Sequence, residues 1–296
     1  MNLAQFYKKA LKVGMDYDPR GRGYFKGKLR VANPYLDSQI LYGDGKRQVK
    51  KILVGVDIEA AELLLADRIR QDEGLDLVIA HHPEGKALAG LYAVMGLHIQ
   101  MLEVAGLSKE VAKGLVEARM QEVERKLLSN NHMRSVDIAR LLDIPFMCLH
   151  TVADNLVAHF VKKIMQEKKP KNLQDILSVL EEIPEYKLAK KENVGPRIIL
   201  GNPRRPVGKI FVEMTGGTEG PKDVFGKLYN AGVRTLIGMH LSEEHFKKVK
   251  DANLNVIIAG HISSDTLGLN LLLDKIESQK KFHIIDCSGF RRISRN

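Results

Sequence analysis

The sequence predicts an α/β protein with two α/β lobes and a cleft between them, and three observations support this fold class. Short apolar segments alternate with amphipathic helical segments, which favours parallel strands joined by helices. A lysine-rich stretch from about residue 155 to 193, interrupted by Pro170 and Pro184, separates two such regions. Three apolar segments also end in histidine, so polar side chains gather where strands end, at the edge where α/β sheets carry function.

The N-terminal lobe is predicted to span residues 1–160. Residues 1–14 are expected to form a short amphipathic helix, and residues 16–47, rich in Gly, Pro, Asp and Arg, an irregular segment. A strand, a helix and a second strand are then predicted in "KKILVGVDI", "EAAELLLADRIRQDEG" and "LDLVIAHHPEG". Residues 87–143 are expected to be mostly helical, before an apolar strand that ends at His150 in "IPFMCLHTVADN".

The C-terminal lobe is predicted to span residues 161–296 and to alternate in the same way. Its strands are predicted in "PRIILGNP", "GKIFVEMTGGTEG", "VRTLIGMH", "LNVIIAGHISSD" and "KFHIIDCSGF". Its helices are predicted at residues 221–231, Glu243 to Ala252 and Leu267 to Ser278. Parallel sheets in both lobes therefore follow from the order of the segments.

Composition limits the classes of function. The 46 lysines and arginines exceed the 36 acidic residues and give a net charge of +10, spread in short runs along the chain. Such runs are most often solvated faces, although non-specific nucleic-acid binding through them is an alternative. The two cysteines, Cys148 and Cys287, cannot form a disulfide framework. Neither a signal peptide nor a membrane-spanning segment is expected, and we predict a cytoplasmic protein.

The strand-end residues have the chemistry of a metal site. Three strand ends can bring six of them to one cleft: His81, His82, His150, Asp154, His261 and Asp265. Imidazole and carboxylate together suit zinc, iron or manganese. Consecutive histidines on an extended chain diverge and can reach different ions, and a carboxylate can join two ions through its two oxygens. We therefore expect a metal site in the cleft between the lobes.

Other features give weaker predictions. The glycine-rich "MTGGTEGP" can present backbone N–H groups of Gly216 and Gly217 to a phosphate or carboxylate, or it can be a tight structural turn. Asp57 is expected either to cap a helix or to line the cleft. The other six histidines lack partners at ligand spacing, so structural or surface roles are predicted for most of them.

The quoted motifs resemble the Nif-three-like family, also called GTP cyclohydrolase I type 2 homologues. The matching stretches are "GVDIEAAELLLADRI", "LDLVIAHHP", "HTVAD", "TGGTEG" and "LNVIIAGHISSD". The resemblance implies a two-lobed α/β fold with a dinuclear metal site, and homo-oligomers that are commonly hexamers. Its implied ligands are His81, His82, Asp154, His261 and Asp265, and it makes His150 a candidate catalytic residue.

The chain departs from the family pattern at two places. Asp265 stands where the family usually has glutamate, so a carboxylate that bridges two ions would be one methylene shorter. Glu84 follows His-His-Pro where the family continues with apolar residues. Both departures bear more on the GTP assignment than on the metal site.

These observations predict a hydrolase that depends on two divalent ions and activates water with them. It would act on a small anionic substrate, GTP or another nucleotide or phosphoester, with His150 or Glu84 carrying a proton. The alternative is a metal-binding scaffold or regulatory protein without turnover.

Overall fold

The computed structural model describes residues 1–25, 33–277 and 282–296, and it contains two β-sheets surrounded by helices. The strands are β1 Ser38–Tyr42, β2 Lys51–Gly55, β3 Leu77–Ala80, β4 Phe146–Leu149, β5 Arg197–Leu200, β6 Lys209–Glu213, β7 Val233–Gly238, β8 Asn255–Ile258 and β9 His283–Asp286.

The helices connect these strands and cover their faces. Seven helices precede β4: α1 Leu3–Asp16, α2 Ala60–Glu73, α3 Gly85–Ala89, α4 Leu91–Val94, α5 Leu97–Ala105, α6 Lys109–Leu127 and α7 Arg134–Leu141. The later helices are α8 Thr151–Lys168, α9 Leu173–Glu181, α10 Pro184–Lys191, α11 Phe225–Asn230, α12 Glu243–Asp251 and α13 His261–Glu277.

The first sheet has the strand order β1-β4-β3-β2-β9, and only β1 runs antiparallel to its neighbour. Its strands β3 and β4 are buried along their whole length, as expected for parallel strands covered on both faces. The carboxyl ends of β2, β3 and β4 lie at one edge. The residues that follow these strands therefore come together there.

The second sheet has the order β5-β8-β7-β6, with β5 antiparallel at one edge. One face packs on α8, α9 and α10, and the other on α5, α6, α11 and α12. The structure thus has the two α/β lobes that the sequence predicts. The carboxyl ends of β6, β7 and β8 deliver the glycine-rich loop, His240 and His261 to one place.

Helices α8 and α13 pack against each other at the centre of the molecule, and most of their residues are buried. Gly268 of α13 lies against the backbone of α8: a Cβ atom at this glycine would sit 2.8 Å from the carbonyl oxygen of Ala153. Each helix carries candidate metal ligands in its first turn or two. Their close packing therefore fixes the separation of those ligands.

Several elements differ from the predictions. Strand β1 lies inside the predicted irregular segment, of which residues 26–32 are outside the described residues. The helical region from 87 to 143 is divided into short helices at Gly90 and Gly96. The last helix begins at His261, so no loop separates His261 from Asp265; residues 278 and 281 of the predicted final helix and strand lie outside the described part.

Strand β9 pairs with β2 in the first sheet, with Ile284 opposite Ile52. The lobes are therefore not simply consecutive in the chain, and a boundary near residue 160 stays a prediction. Within the described ranges, none of the helices combines the length and apolar character needed to cross a membrane.

Candidate metal centre

The edges of the two sheets bring the predicted residues together between the lobes. His81 and His82 directly follow β3, and His150 follows β4 as the residue that precedes α8. Asp154 lies one turn into α8. His261 is the first residue of α13, and Asp265 follows one turn later on the same helical face.

One group of donor atoms forms a nearly equilateral triangle. The Nε2 atoms of His82 and His261 are 3.3 Å apart, and each lies 3.5 Å from Oδ2 of Asp265. A tetrahedral ion about 2.0–2.1 Å from its donors separates those donors by about 3.3–3.4 Å. The spacing of these three atoms is therefore that of ligands around one ion.

A second group uses the other oxygen of the same carboxylate. The Nε2 atom of His81 lies 3.4 Å from Oδ1 of Asp265 and 3.3 Å from Oδ1 of Asp154. His150 adjoins this group, with its Nε2 atom 3.7 Å from Oδ2 of Asp154. Donor atoms of His81, His150 and Asp154 also lie within 4.8 Å of one another, so these three could hold an ion.

Burial makes a cation the natural partner of this cluster. His81 and Asp265 are each 1% exposed and Asp154 is 4% exposed. Among the described residues, none hydrogen-bonds to the ring nitrogens of His81, to Oδ1 of Asp154 or to either carboxylate oxygen of Asp265. Buried polar atoms without partners cost about 1–3 kcal/mol each, and more when charged. The residues present therefore fit a bound metal ion.

The pKa shifts of the clustered histidines and of Asp265 reflect the close approach of their charges in a buried site. Burial alone would lower the pKa of His81, but the charges of Asp265 and Asp154 outweigh it and raise the pKa to about 10. Burial opposes ionisation of Asp265, yet the adjacent histidines hold its pKa well below the usual range. Burial lowers the pKa of His261, which favours the neutral ring that a metal requires.

Two carboxylates orient the histidines from outside the cluster. Oδ2 of Asp37 lies 2.8 Å from Nδ1 of His150, and Oδ1 of Asp57 lies 2.6 Å from Nδ1 of His82. Metal-binding histidines usually donate their second N–H in this way, which leaves Nε2 with its lone pair toward the ion. Asp57 thus contacts a site residue, whereas Glu59 precedes α2 as its N-cap.

Asp37 belongs to the segment predicted to be irregular, and the sequence pattern does not indicate its role. Because β1 runs antiparallel to β4, with Ser38 opposite Leu149, the residue before β1 lies beside the residue after β4. Asp37 is fully buried there and also accepts a hydrogen bond from the hydroxyl of Thr151. Recognition of β1 as an antiparallel strand is the step that would have identified it.

The C-terminal lobe supplies the opposite wall of the cleft. Residues that line this cavity include His150, Asp154, His261 and Asp265 from the cluster, and Gly217, Thr218, Glu219 and His240 beyond it. The rings of His240 and His261 are 4.6 Å apart between centroids. Surface or structural roles are predicted for most of the other histidines, and His240 is not named as a candidate. It is the last residue of the apolar segment "VRTLIGMH" and so satisfies the same strand-end criterion that selects the other candidates.

The two predicted glycines have different surroundings. Both have positive φ angles, 102° at Gly216 and 87° at Gly217. A Cβ atom at Gly216 would meet the His98 ring at 2.6 Å, and one at Gly217 would meet Val94 at 2.8 Å. Close packing therefore accounts for both glycines. The loop leads into a short 3₁₀ turn, Lys222–Val224, and not directly into the predicted helix.

Glu84 is not among the described residues that line the cleft. It precedes α3, and burial raises the pKa of its carboxyl. Its backbone N–H points to the Sγ atom of Cys148 at 3.2 Å. Of the two predicted proton carriers, only His150 faces the cavity.

Comparisons with known proteins agree with this architecture. No protein-family model matches the chain, and no curated protein matches it. Among solved structures, a NIF3 superfamily protein from Sphaerobacter thermophilus is similar over 95% of this chain and 98% of its own, with a TM-score of 0.79 and 26% identity. Reduced HcgD from Methanocaldococcus jannaschii is similar over 90% of this chain and 96% of its own, with a TM-score of 0.50. At 15% identity, the second likeness shows the fold alone.

Proposed function

From its similarity over nearly its whole length to a NIF3 superfamily protein, we propose that the chain is a member of the NIF3-like family and a hydrolase that holds two divalent metal ions between its lobes and cleaves a nucleotide or another phosphoester. One observation carries this proposal: the two carboxylate oxygens of Asp265 face two different groups of donor atoms. Such an arrangement is what a carboxylate shared by two ions requires.

In this proposal His82, His261 and Asp265 would hold one ion. His81 and Asp154 would hold the other together with Asp265, with His150 beside them. The 3.3–3.5 Å separations support an aspartate that reaches both groups despite its shorter side chain. The donors are all nitrogen and oxygen, a set that suits zinc, iron or manganese and does not select one of them.

Two ions at these positions would supply a water molecule of lowered pKa and polarise an oxygen of the substrate. In this proposal His150 would accept a proton at its Nε2 atom. Asp37 accepts a hydrogen bond from its Nδ1 atom, so the neutral ring carries its lone pair on Nε2, the atom nearer Asp154.

Charge balance favours an anionic substrate. The proposed ligands include two carboxylates, Asp154 and Asp265, which offset only half the charge of two divalent ions. The wall residue Glu219 is itself paired with His240 and His245. The occupied centre would therefore carry excess positive charge toward the cleft, which suits phosphate.

The test compares chelated protein with protein reconstituted separately with zinc, iron or manganese. We expect metal-dependent turnover of a panel that contains GTP, other nucleotides and simple phosphoesters. Release of inorganic phosphate reports phosphoester cleavage, and a change in ultraviolet absorbance reports opening of the purine ring.

Asp265→Ala should abolish this turnover, whereas Asp72→Ala, an exposed change on α2, should leave it unchanged. Two bound ions per chain without turnover of any substrate would favour the alternative, a non-catalytic metal-binding scaffold. The absence of bound metal after reconstitution would contradict both.

A further inference from the structure

His240 combines three properties that set it apart from a packed histidine. It lies two residues after the end of β7, at the edge of the second sheet that faces the metal centre. Its ring contacts that of His261, a proposed ligand. Its side chain nevertheless stays 44% exposed and lines the cleft. A residue whose role was only to support His261 would not need this exposure.

Glu219 holds one edge of the His240 ring. Its Oε1 atom lies 3.5 Å from Nδ1 of His240 and 2.5 Å from the backbone nitrogen of Ser242. Its Oε2 atom lies 3.4 Å from Nδ1 of His245. These contacts fix the carboxylate, and they hold the pKa of Glu219 at about 2 in spite of its burial.

The backbone that carries Glu219 is held as firmly. The carbonyl oxygen of Thr218 lies 3.1 Å from Nε2 of His98, and that of Gly220 lies 2.9 Å from Nε2 of His245. Arg119 donates from Nε to the carbonyl oxygen of Glu219 at 3.3 Å. The loop is therefore built to keep one carboxylate in place behind His240.

With Nδ1 directed to Glu219, the other ring nitrogen of His240 is left for a different partner. None of the described residues makes a hydrogen bond to this Nε2 atom. A carboxylate that fixes one nitrogen of a histidine and leaves the other to face a substrate is the common arrangement of functional imidazoles.

We propose that His240 is a substrate-contacting residue: placed between the Glu219 carboxylate and the phosphate of a substrate held at the metal centre, its ring carries a proton on each nitrogen and donates a hydrogen bond from Nε2 to a phosphate oxygen. This inference rests on the proposed function. Glu219 acts through His240 and is a positioning residue. The substrate would then lie between the metal ions on one side and the imidazole of His240, in the C-terminal lobe, on the other.

The experiment measures binding of inorganic phosphate to metal-loaded protein by calorimetry, with the metal content of each variant determined first. His240→Ala should weaken phosphate binding by about 10-fold, the loss of one hydrogen bond to a charged group. His240→Gln keeps an amide donor near the Nε2 position and should recover most of this loss. Glu219→Gln should give an intermediate loss, and His283→Gln, at the exposed first residue of β9, none.

Unchanged phosphate affinity in His240→Ala at unchanged metal content would overturn the proposal. So would a loss of metal in that variant, because His240 would then support His261 and not the substrate. Absence of phosphate binding to the wild-type protein would overturn it as well. If the variants bind phosphate more weakly as predicted but the protein cleaves no phosphoester, the role of His240 is upheld and the proposed hydrolysis is rejected. If the protein cleaves a phosphoester with metal but His240→Ala binds phosphate normally, hydrolysis is upheld and the role of His240 is rejected.

Discussion

Asp265 is the residue at which the two donor groups meet, and its replacement separates a two-ion centre from a single site. In Asp265→Ala both groups lose a charged ligand, so we expect at least one ion per chain to be lost. Asp265→Glu should keep both ions or bind them more tightly, because the longer side chain can also span the two groups. Elemental analysis of three identically prepared proteins measures this. Unchanged stoichiometry in the alanine variant would remove Asp265 from the metal ligands.

The raised pKa of His81 makes metal binding depend on pH. In the metal-free protein the ring is protonated at pH below about 10, and that proton must leave before Nε2 can bind an ion. Affinity should therefore rise with pH, by about tenfold per unit for each proton released, and level off above the pKa. Calorimetry in buffers of different ionisation enthalpy counts these protons. An affinity independent of pH between 6 and 9 would contradict the shift.

Asp37 provides the corresponding test for His150. Asp37→Asn keeps the side-chain volume but removes the charge that orients the ring, so turnover should fall by about 100-fold or more while metal content is retained. Nitrogen NMR of His150 should show a change of tautomer, which a loss of packing alone would not produce. Unaltered turnover in Asp37→Asn would exclude His150 as the proton acceptor.

At this scale the sequence predicts much of the site. Apolar segments that end in histidine identify His81, His82, His150 and His261, because parallel strands end at one edge. The same criterion applies to His240, but its partner Glu219 is distant in sequence and gives no spacing to recognise. Asp37 is brought to His150 only by antiparallel pairing, which local pattern does not reveal. The roles of all these residues as metal ligands or catalytic groups stay predictions.

At the scale of elements, the contact between α8 and α13 sets the geometry of the centre. Gly268→Ala would place a methyl group 2.8 Å from the Ala153 carbonyl oxygen and force the helices apart. We expect a loss of about 1–3 kcal/mol of unfolding free energy, together with weaker metal binding. Gly114→Ala is the matched control, since nothing lies within 4 Å of its Cβ position on α6.

That control should stabilise the protein by about 1 kcal/mol or less, because alanine favours helix. Denaturant melts of the two variants, with and without metal, make the comparison. Equal stability of Gly268→Ala and the wild-type protein would mean that the helices can separate at little cost.

Elements were predictable where burial is complete. The continuous apolar runs of β3 and β4 indicate buried parallel strands. Strand β1 is only partly buried along most of its length, and its sequence "SQILY" lacks that pattern. The start of α13 is equally hard to predict from the sequence, because Ser263, Ser264 and Thr266 are weak helix formers. Packing against α8 overrides their propensity.

At the scale of the whole molecule, the family resemblance implies assembly. We expect a homo-oligomer larger than a dimer, and the resemblance favours a hexamer. Light scattering coupled to size-exclusion chromatography gives the mass directly. A monomer mass at micromolar concentration would contradict this prediction.

The order of the strands is the least predictable property of the fold. Alternation along the chain indicates two α/β lobes, but it does not say to which sheet the last strand returns. Strand β9 follows the whole second sheet in sequence and yet pairs with β2. The sheet that β9 joins depends on contacts between residues far apart in sequence, which a local sequence pattern does not reveal.

This return of β9 has a consequence for how the protein is made. A ribosome that has released β1 to β4 has delivered four strands of the first sheet but not its edge strand beside β2. The nascent N-terminal region therefore waits, with one side of β2 unpaired, until the entire second sheet has emerged. Contacts between such distant segments slow folding. Unpaired strand edges are also sites of aggregation, so we expect the growing chain to be more prone to aggregate than the complete fold.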